Sequence, residues 1–273
     1  MTEPLPAGAL SGVRVGISVS GSADLERLGL AEEHLRSALG ELARAVTASG
    51  GGLAYGGHLD PGGYTAFLVS ELSRHGHEAR PLLVCLAWPE HRRLALSELR
   101  RRAGLGPIGD VVCLDPDGRE VDPAAGRTED AEPVTDPDLR RRALTGMRRY
   151  LNDRTHARVL IGGRRHGFQG ELPGPLEEAL LAVGGGTPVY PAAGFGGVTA
   201  DIAHALGMGG GHPDDPAAPR LTAGLDRLRA LAPEAPRNGL SDAENLTLAT
   251  TRRPGEIAAL VTLGLARLAG REG

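Results

Sequence analysis

The chain contains no lysine: all 30 of its basic residues are arginine. That absence excludes a P-loop lysine, a kinase strand lysine and any Schiff-base lysine. Aromatic residues make up only 3% of the chain, so the position of each one matters. Cysteine is as scarce. Cys85 and Cys113 sit in the apolar runs PLLVCLAW and DVVCLD and are expected to be small core hydrophobes, not a disulfide or a nucleophile. No apolar run reaches the roughly 18–20 residues of a membrane span. The N-terminal MTEPLPAGAL has neither a basic start nor a long apolar stretch, which predicts no signal peptide, no membrane partner and a cytoplasmic location. Nothing has metal-ligand spacing, so no metal is expected. His75 and His77 flank a glycine at an expected helix end, where a solvated cap explains them. The formal net charge is −4 with no concentrated basic run, which gives specific nucleic-acid binding little electrostatic support.

What is present alternates. Apolar, β-branched runs occur at Val13–Val19, Leu53–Tyr55, Leu82–Leu86, Val111–Leu114, Val159–Ile161 and Thr187–Tyr190, with helical patterns between most of them. Leu35, Leu39, Leu42 and Val46 share one helical face; Phe67, Leu68 and Leu72 form another, and Leu139, Leu144, Met147 and Leu151 a third. Continuous apolar strands alternating with helices predict an α/β fold: a Rossmann-like, doubly wound, mainly parallel sheet flanked by helices. Residues 1–10 read as an extended or disordered tail, and 11–273 as a single domain with a loop insert near 115–137. Gly207–Pro219 reads as another loop. Helices are expected over Leu221–Leu231, Ser241–Leu248 and Pro254–Leu268, with Ser241 and Glu244 as a capping box and Pro254 in a first turn.

The 41 glycines are about twice the average fraction, and many follow strands. The first strand ends in SVSGSAD, the second in YGGHLDPGGYT, the fifth in IGGRRHGFQGELPGP and the sixth in PAAGFGGVTAD. In an open parallel sheet such turns share one edge, where glycine admits a ligand and the N–H groups of the next helix can hold an anion. No G-x-G-x-x-G follows the first strand and no G-x-S-x-G elbow exists, so neither a dinucleotide fingerprint nor a serine hydrolase is supported. The turns nominate Ser20, Gly21 and Ser22 for one phosphate. Gly56, Gly57, Gly62 and Gly63 are expected to line a ribose region, and Gly162 and Gly163 to end a strand in the crevice. Arg164 and Arg165 offer forked contacts to a diphosphate, and Gly194, Gly196 and Gly197 close the far side. Tyr64, Phe168 and Phe195 lie in these turns and could stack on a base; Trp88 reads as packing. Glu177 and Glu178 open an expected helix at Pro173, where the macrodipole favours carboxylates. Either could also hold a ribose hydroxyl or act as an acid or base.

The run MRRYLNDRTHARVLIGGRRHGFQGELPGPLEEAL, together with SVSGSAD, YGGHLDPGG, AGFGGVTADI and the tail GLSDAENLTLATTRRPGEIAALVTLGL, resembles the SLOG superfamily, named for Smf/DprA-like and Lonely Guy-like proteins. The likeness runs from about Val13 to Leu268. It implies two branches of function. One is sensing, as in domains of TRPM channels and Thoeris-type antiphage effectors that bind ADP-ribose-like or cyclic ADP-ribose nucleotides. The other is the phosphoribohydrolase activity of Lonely Guy enzymes, which release a free base. Their motif PGGxGTxxE, with an arginine on the preceding helix, would place Arg148 or Arg149 and Glu177 or Glu178 in catalytic roles. This chain departs from it: Ile161 replaces the proline, Arg164–Leu172 intervene, and Pro173-Gly174-Pro175 stands where Gly-Thr would sit. The longer loop disturbs catalytic aim and leaves room for a larger ligand. The expectation is therefore a stress or antiphage sensor for a nucleotide-derived ligand that needs no cofactor, with Glu178 on a ribose hydroxyl. With no output domain of its own, it is expected to act as a homo-oligomer or through an effector protein.

Overall fold

Apolar strands too short to bury themselves must pair, and here all six pair in one direction. The structure is a computed structural model that describes residues 6–74, 80–209, 219–232 and 236–270. His75, His77 and most of the 207–219 loop lie outside the described residues. The elements run β1 (Arg14–Ser20), α1 (Asp24–Arg27), α2 (Glu32–Ala48), β2 (Gly52–Gly56), α3 (Tyr64–Ser73), β3 (Leu82–Leu86), α4 (Trp88–Arg92), α5 (Leu96–Ala103) and β4 (Gly109–Cys113). They continue through α6 (Pro137–Asn152), β5 (Ala157–Gly162), α7 (Gly174–Gly184), β6 (Val189–Ala192), α8 (Gly197–Ala205), α9 (Pro219–Leu231), α10 (Asp242–Thr250) and α11 (Pro254–Ala269). No helix among the described residues is long and apolar enough to cross a membrane.

The sheet order is β4-β3-β2-β1-β5-β6, every pair parallel. The chain winds outward from β1 to β4, crosses back, and resumes at β5. The order therefore reverses between β1 and β5, the place where open α/β sheets bind ligands. Ser20 is in register with Gly162 at that point. The 115–137 segment makes this return with no helix or strand of its own beyond one bridge, Leu114 to Glu120.

The expected helical faces are the buried ones. Leu35, Leu39, Leu42 and Val46 of α2 are in the main core, and α2 packs against α3 and α11. Met147 and Leu151 of α6 join Ala54, Cys85 and Leu114 in a second cluster. Both cysteines are free and buried, and burial pushes their thiols up, to about 12 for Cys85 and about 11 for Cys113. Leu10, from the expected tail, is fully buried and its N–H donates to the Ser49 carbonyl. Ser241 and Glu244 close a capping box on α10.

Candidate functional site

The carboxyl ends of β1 and β2 open onto a cleft of about 580 Å³. Ser18, Ser20 and Gly21 form its β1 wall, and alternation along the strand explains why the two serines share a face. Tyr55, Gly56, Gly57 and the turn to Gly63 and Tyr64 form the β2 wall. Met147 and Arg148 of α6 stand behind, and the loop through Arg164 and Phe168, with Gly174 and Glu178 of α7, completes the ring.

Beneath the cleft lie four buried charged side chains, Arg148, Arg158, Glu177 and Glu178, of which Arg148 and Glu178 line it. Glu177 is fully engaged. Thr145 Oγ1 donates to its Oε1 and Arg148 Nη1 to its Oε2. Glu178 accepts from Arg158 Nη1 through Oε2 at 3.1 Å, and the Ser18 hydroxyl of β1 also hydrogen-bonds its carboxylate. Its Oε1 has Arg148 Nε as a charged neighbour at 3.9 Å. Glu178 lines the cleft and Glu177 does not. Burial drives the Glu178 carboxyl above the usual carboxylate range, against the pull of Arg158 and then Arg148. The Arg148 guanidinium is seated under the connecting loop. A β-carbon at Gly170 would lie 2.5 Å from its Nη1, and one at Gly174 3.1 Å from its Nη2.

At the rim, Arg36 of α2 donates to the Gly62 carbonyl at 2.7 Å and to Glu32 at 3.0 Å, and lies 5.2 Å over the Tyr64 ring. Burial pushes the Tyr64 hydroxyl up to about 12. His58 Nδ1 sits 3.2 Å from Asp60, whose carboxyl is held below its usual range by the hydrogen bond from Arg93. Arg164 is exposed at the rim and forms no ion pair among the described residues.

The β6 side of the crevice is closed. Arg165 turns inward, donating to Asp24 at 2.6 Å, to Asp201 at 2.8 and 3.0 Å and to the Gly197 carbonyl at 3.1 Å. Burial pushes the Asp24 carboxyl up, but the Gly197 N–H and the Arg165 guanidinium outweigh it and hold it below the usual range. Protein carboxylates thus occupy the fork expected to take a diphosphate. Ser22 donates to the Phe195 carbonyl at 3.5 Å, and Phe195 is fully buried, with no face for a base. Side chains at Gly194, Gly196 and Gly197 would collide with Thr251, Asp24 and Gly163, and one at Gly163 would press on Pro175. These glycines serve chain packing.

The structure therefore gathers Ser20, Gly21, Gly56, Gly57, Gly62, Gly63, Tyr64, Arg148, Arg164, Phe168 and Glu178 into one cleft. Ser22, Gly162, Gly163, Arg165, Glu177, Gly194, Phe195, Gly196 and Gly197 lie outside its lining. Arg149 is exposed on another side of α6, in a separate cavity with Asp117 and Asp138. Sequence reasoning passed over Arg36, Tyr55, His58 and Arg158. The first three carry no local signal. Arg158 does: it is a charge inside the apolar run of β5. Among the described residues, no group of three or more His, Cys, Asp or Glu side chains could hold a metal ion.

A protein-family model described as SLOG cluster2 matches residues 9–215, which takes in every residue of the cleft. No curated protein and no solved structure matches the chain.

Proposed function

The chain belongs to the SLOG cluster2 family, a nucleotide-related group with this Rossmann-like fold, and from that membership we propose that the cleft binds a nucleotide-derived ligand of the ADP-ribose type. One observation carries this reading. The crevice is open only on its β2 side, with an uncommitted guanidinium at the rim and the Glu178 carboxylate, held by Arg158 and Ser18, lining it below. Arg164 and the Ser20–Gly21 turn suit phosphate: a free guanidinium favours an anion, and the half-buried turn lines the cleft where one would sit. Glu178 suits a ribose hydroxyl through Oε1. The half-buried ring of Phe168 offers an apolar face for a base, whereas the Tyr64 ring is buried and lies under Arg36. A volume of about 580 Å³ falls within the range of small-molecule sites. We place the protein in the cytoplasm, in stress or antiphage signalling, with output through a homo-oligomer or an effector protein.

Calorimetry with ADP-ribose, its cyclic isomers, NAD and AMP tests the ligand. At least one is expected to bind, and Arg164→Ala and Glu178→Gln are each expected to weaken it about tenfold or more, the loss of one charge-assisted contact. No binding by any of them at millimolar concentration overturns the reading.

A second reading has one observation in its favour: Arg148 and Glu178 meet in the same cleft. In that reading Glu178 assists water attack at C1′ of a nucleoside monophosphate. The N-glycosidic bond breaks, the water oxygen joins C1′, and the base leaves with a proton. Adenine release from AMP, abolished in Glu178→Gln, would select this reading over pure binding.

A further inference from the structure

Arg158 is the residue that the cleft's wall does not explain. It is the second residue of β5, fully buried, between strands β1 and β6. Its neighbours Val159, Leu160 and Ile161 are apolar and also fully buried, so a leucine or valine would continue the pattern. A guanidinium in such a place is costly to desolvate, and a hydrophobic side chain of similar volume is often as stable or more so. The adjacent strand makes a matching concession. Gly16 of β1 is paired with Arg158, and a β-carbon there would lie 2.5 Å from its Cζ and Nη1. Glycine in a strand interior weakens it. Two locally unfavourable choices are made together, and both serve one contact: Arg158 Nη1 to Glu178 Oε2 at 3.1 Å. Thr155 Oγ1, 3.4 Å from Nη2, steadies the other arm of the fork.

We propose that Arg158 is a positioning residue for the ligand site: it holds Oε2 of Glu178 from below, so that Oε1 is presented to a ligand hydroxyl. The proposal rests on the nucleotide reading of the cleft. It separates the two glutamates by function. Glu177 has both oxygens spent on Thr145 and Arg148 and does not line the cleft, whereas Glu178, held by Arg158 and the Ser18 hydroxyl, does line it. The groups facing Glu178 are Arg158 from β5, Arg148 from α6, Glu177 from its own helix, the Ser18 hydroxyl from β1 and Tyr55 from β2. Burial and Glu177 favour its neutral form, and the two guanidiniums and the Ser18 hydrogen bond favour the carboxylate. Without Arg158, the nearest remaining cation is Arg148, more distant at 3.9 Å, and only it and the Ser18 hydroxyl would oppose burial.

The test titrates Glu178 directly, in the full chain and without ligand, by carbon-detected NMR of side-chain-labelled glutamate assigned with Glu178→Gln. In Arg158→Met the Glu178 midpoint is expected to rise by about one to three pH units, the effect of losing one opposite charge at contact. Gly16→Ala keeps the charge and displaces it, and is expected to raise the midpoint by less. Arg158→Lys is expected to restore part of the wild-type value. ADP-ribose affinity at neutral pH is expected to fall about tenfold or more in Arg158→Met and Gly16→Ala. An unmoved midpoint in a folded variant overturns the proposal, as does a shifted midpoint with unchanged affinity. If Arg158→Met does not fold, Gly16→Ala decides. A shifted midpoint with no nucleotide bound by the wild type overturns the nucleotide reading instead.

Discussion

Arg164 and Arg165 are neighbours in the chain with opposite surroundings. Arg165 holds two buried carboxylates, Asp24 and Asp201, and removing it takes a buried cation away from both. Arg165→Met is expected to destabilise the fold by about 3–5 kcal/mol, seen as a lowered urea midpoint. Arg164→Ala is expected to stay within about 0.5 kcal/mol of wild type, while weakening ligand binding and flattening its salt dependence. The pair could not be told apart in the sequence. The partners of Arg165 lie 141 and 36 positions away, and nothing local says which guanidinium turns inward. The same holds for Glu177 and Glu178, adjacent carboxylates at the start of one helix. Only Arg148, Thr145 and Arg158, from other elements, make them unequal.

The strand-to-helix turns show a similar division. Strands and helices were readable because burial leaves an apolar period, and their bounds differ from expectation by only a residue or two in most cases. The glycines were not, because a glycine needed by the fold and one beside a ligand look alike. The structure separates them. Gly162 has φ +68°, and a β-carbon there would strike the Ser20 carbonyl. Gly162→Ala is expected to cost about 2 kcal/mol or more, since the left-handed conformation alone disfavours a side chain by roughly 1–2 kcal/mol. Gly21 and Gly62 have open space where a side chain would go and no left-handed backbone. Gly62→Ala is therefore expected to leave the urea midpoint within about 0.5 kcal/mol of wild type and to lower nucleotide affinity by narrowing the cleft. Equal stability losses in Gly62→Ala and Gly162→Ala would contradict that division.

Across the molecule, the class of fold was readable and the strand order was not. Alternation of apolar strands and helices requires a covered parallel sheet, but order depends on where the β4-to-β5 return crosses, which no local pattern records. That return is tied down at its start by His91 of α4. The ring is fully buried, its Nε2 is 3.0 Å from the Leu114 carbonyl, and its Nδ1 has no partner. Burial lowers its pKa to about 4 from an ordinary 6.5. The folded state thus binds the proton less readily than the unfolded chain. The associated stability is complete above about pH 6.5 and is lost as pH falls toward 4. Urea midpoints measured between pH 8 and 4.5 are expected to decline in the wild type and to decline less in His91→Gln. Parallel curves would show that the ring titrates normally.

The bare α-carbon of Gly16 also bears on ancestry. It is needed only while a long cation lies against it from the neighbouring strand. In kindred chains the two sites should change in step: where position 158 turns aliphatic, position 16 is free to gain a side chain, and a lineage that keeps one novelty without the other would be under strain.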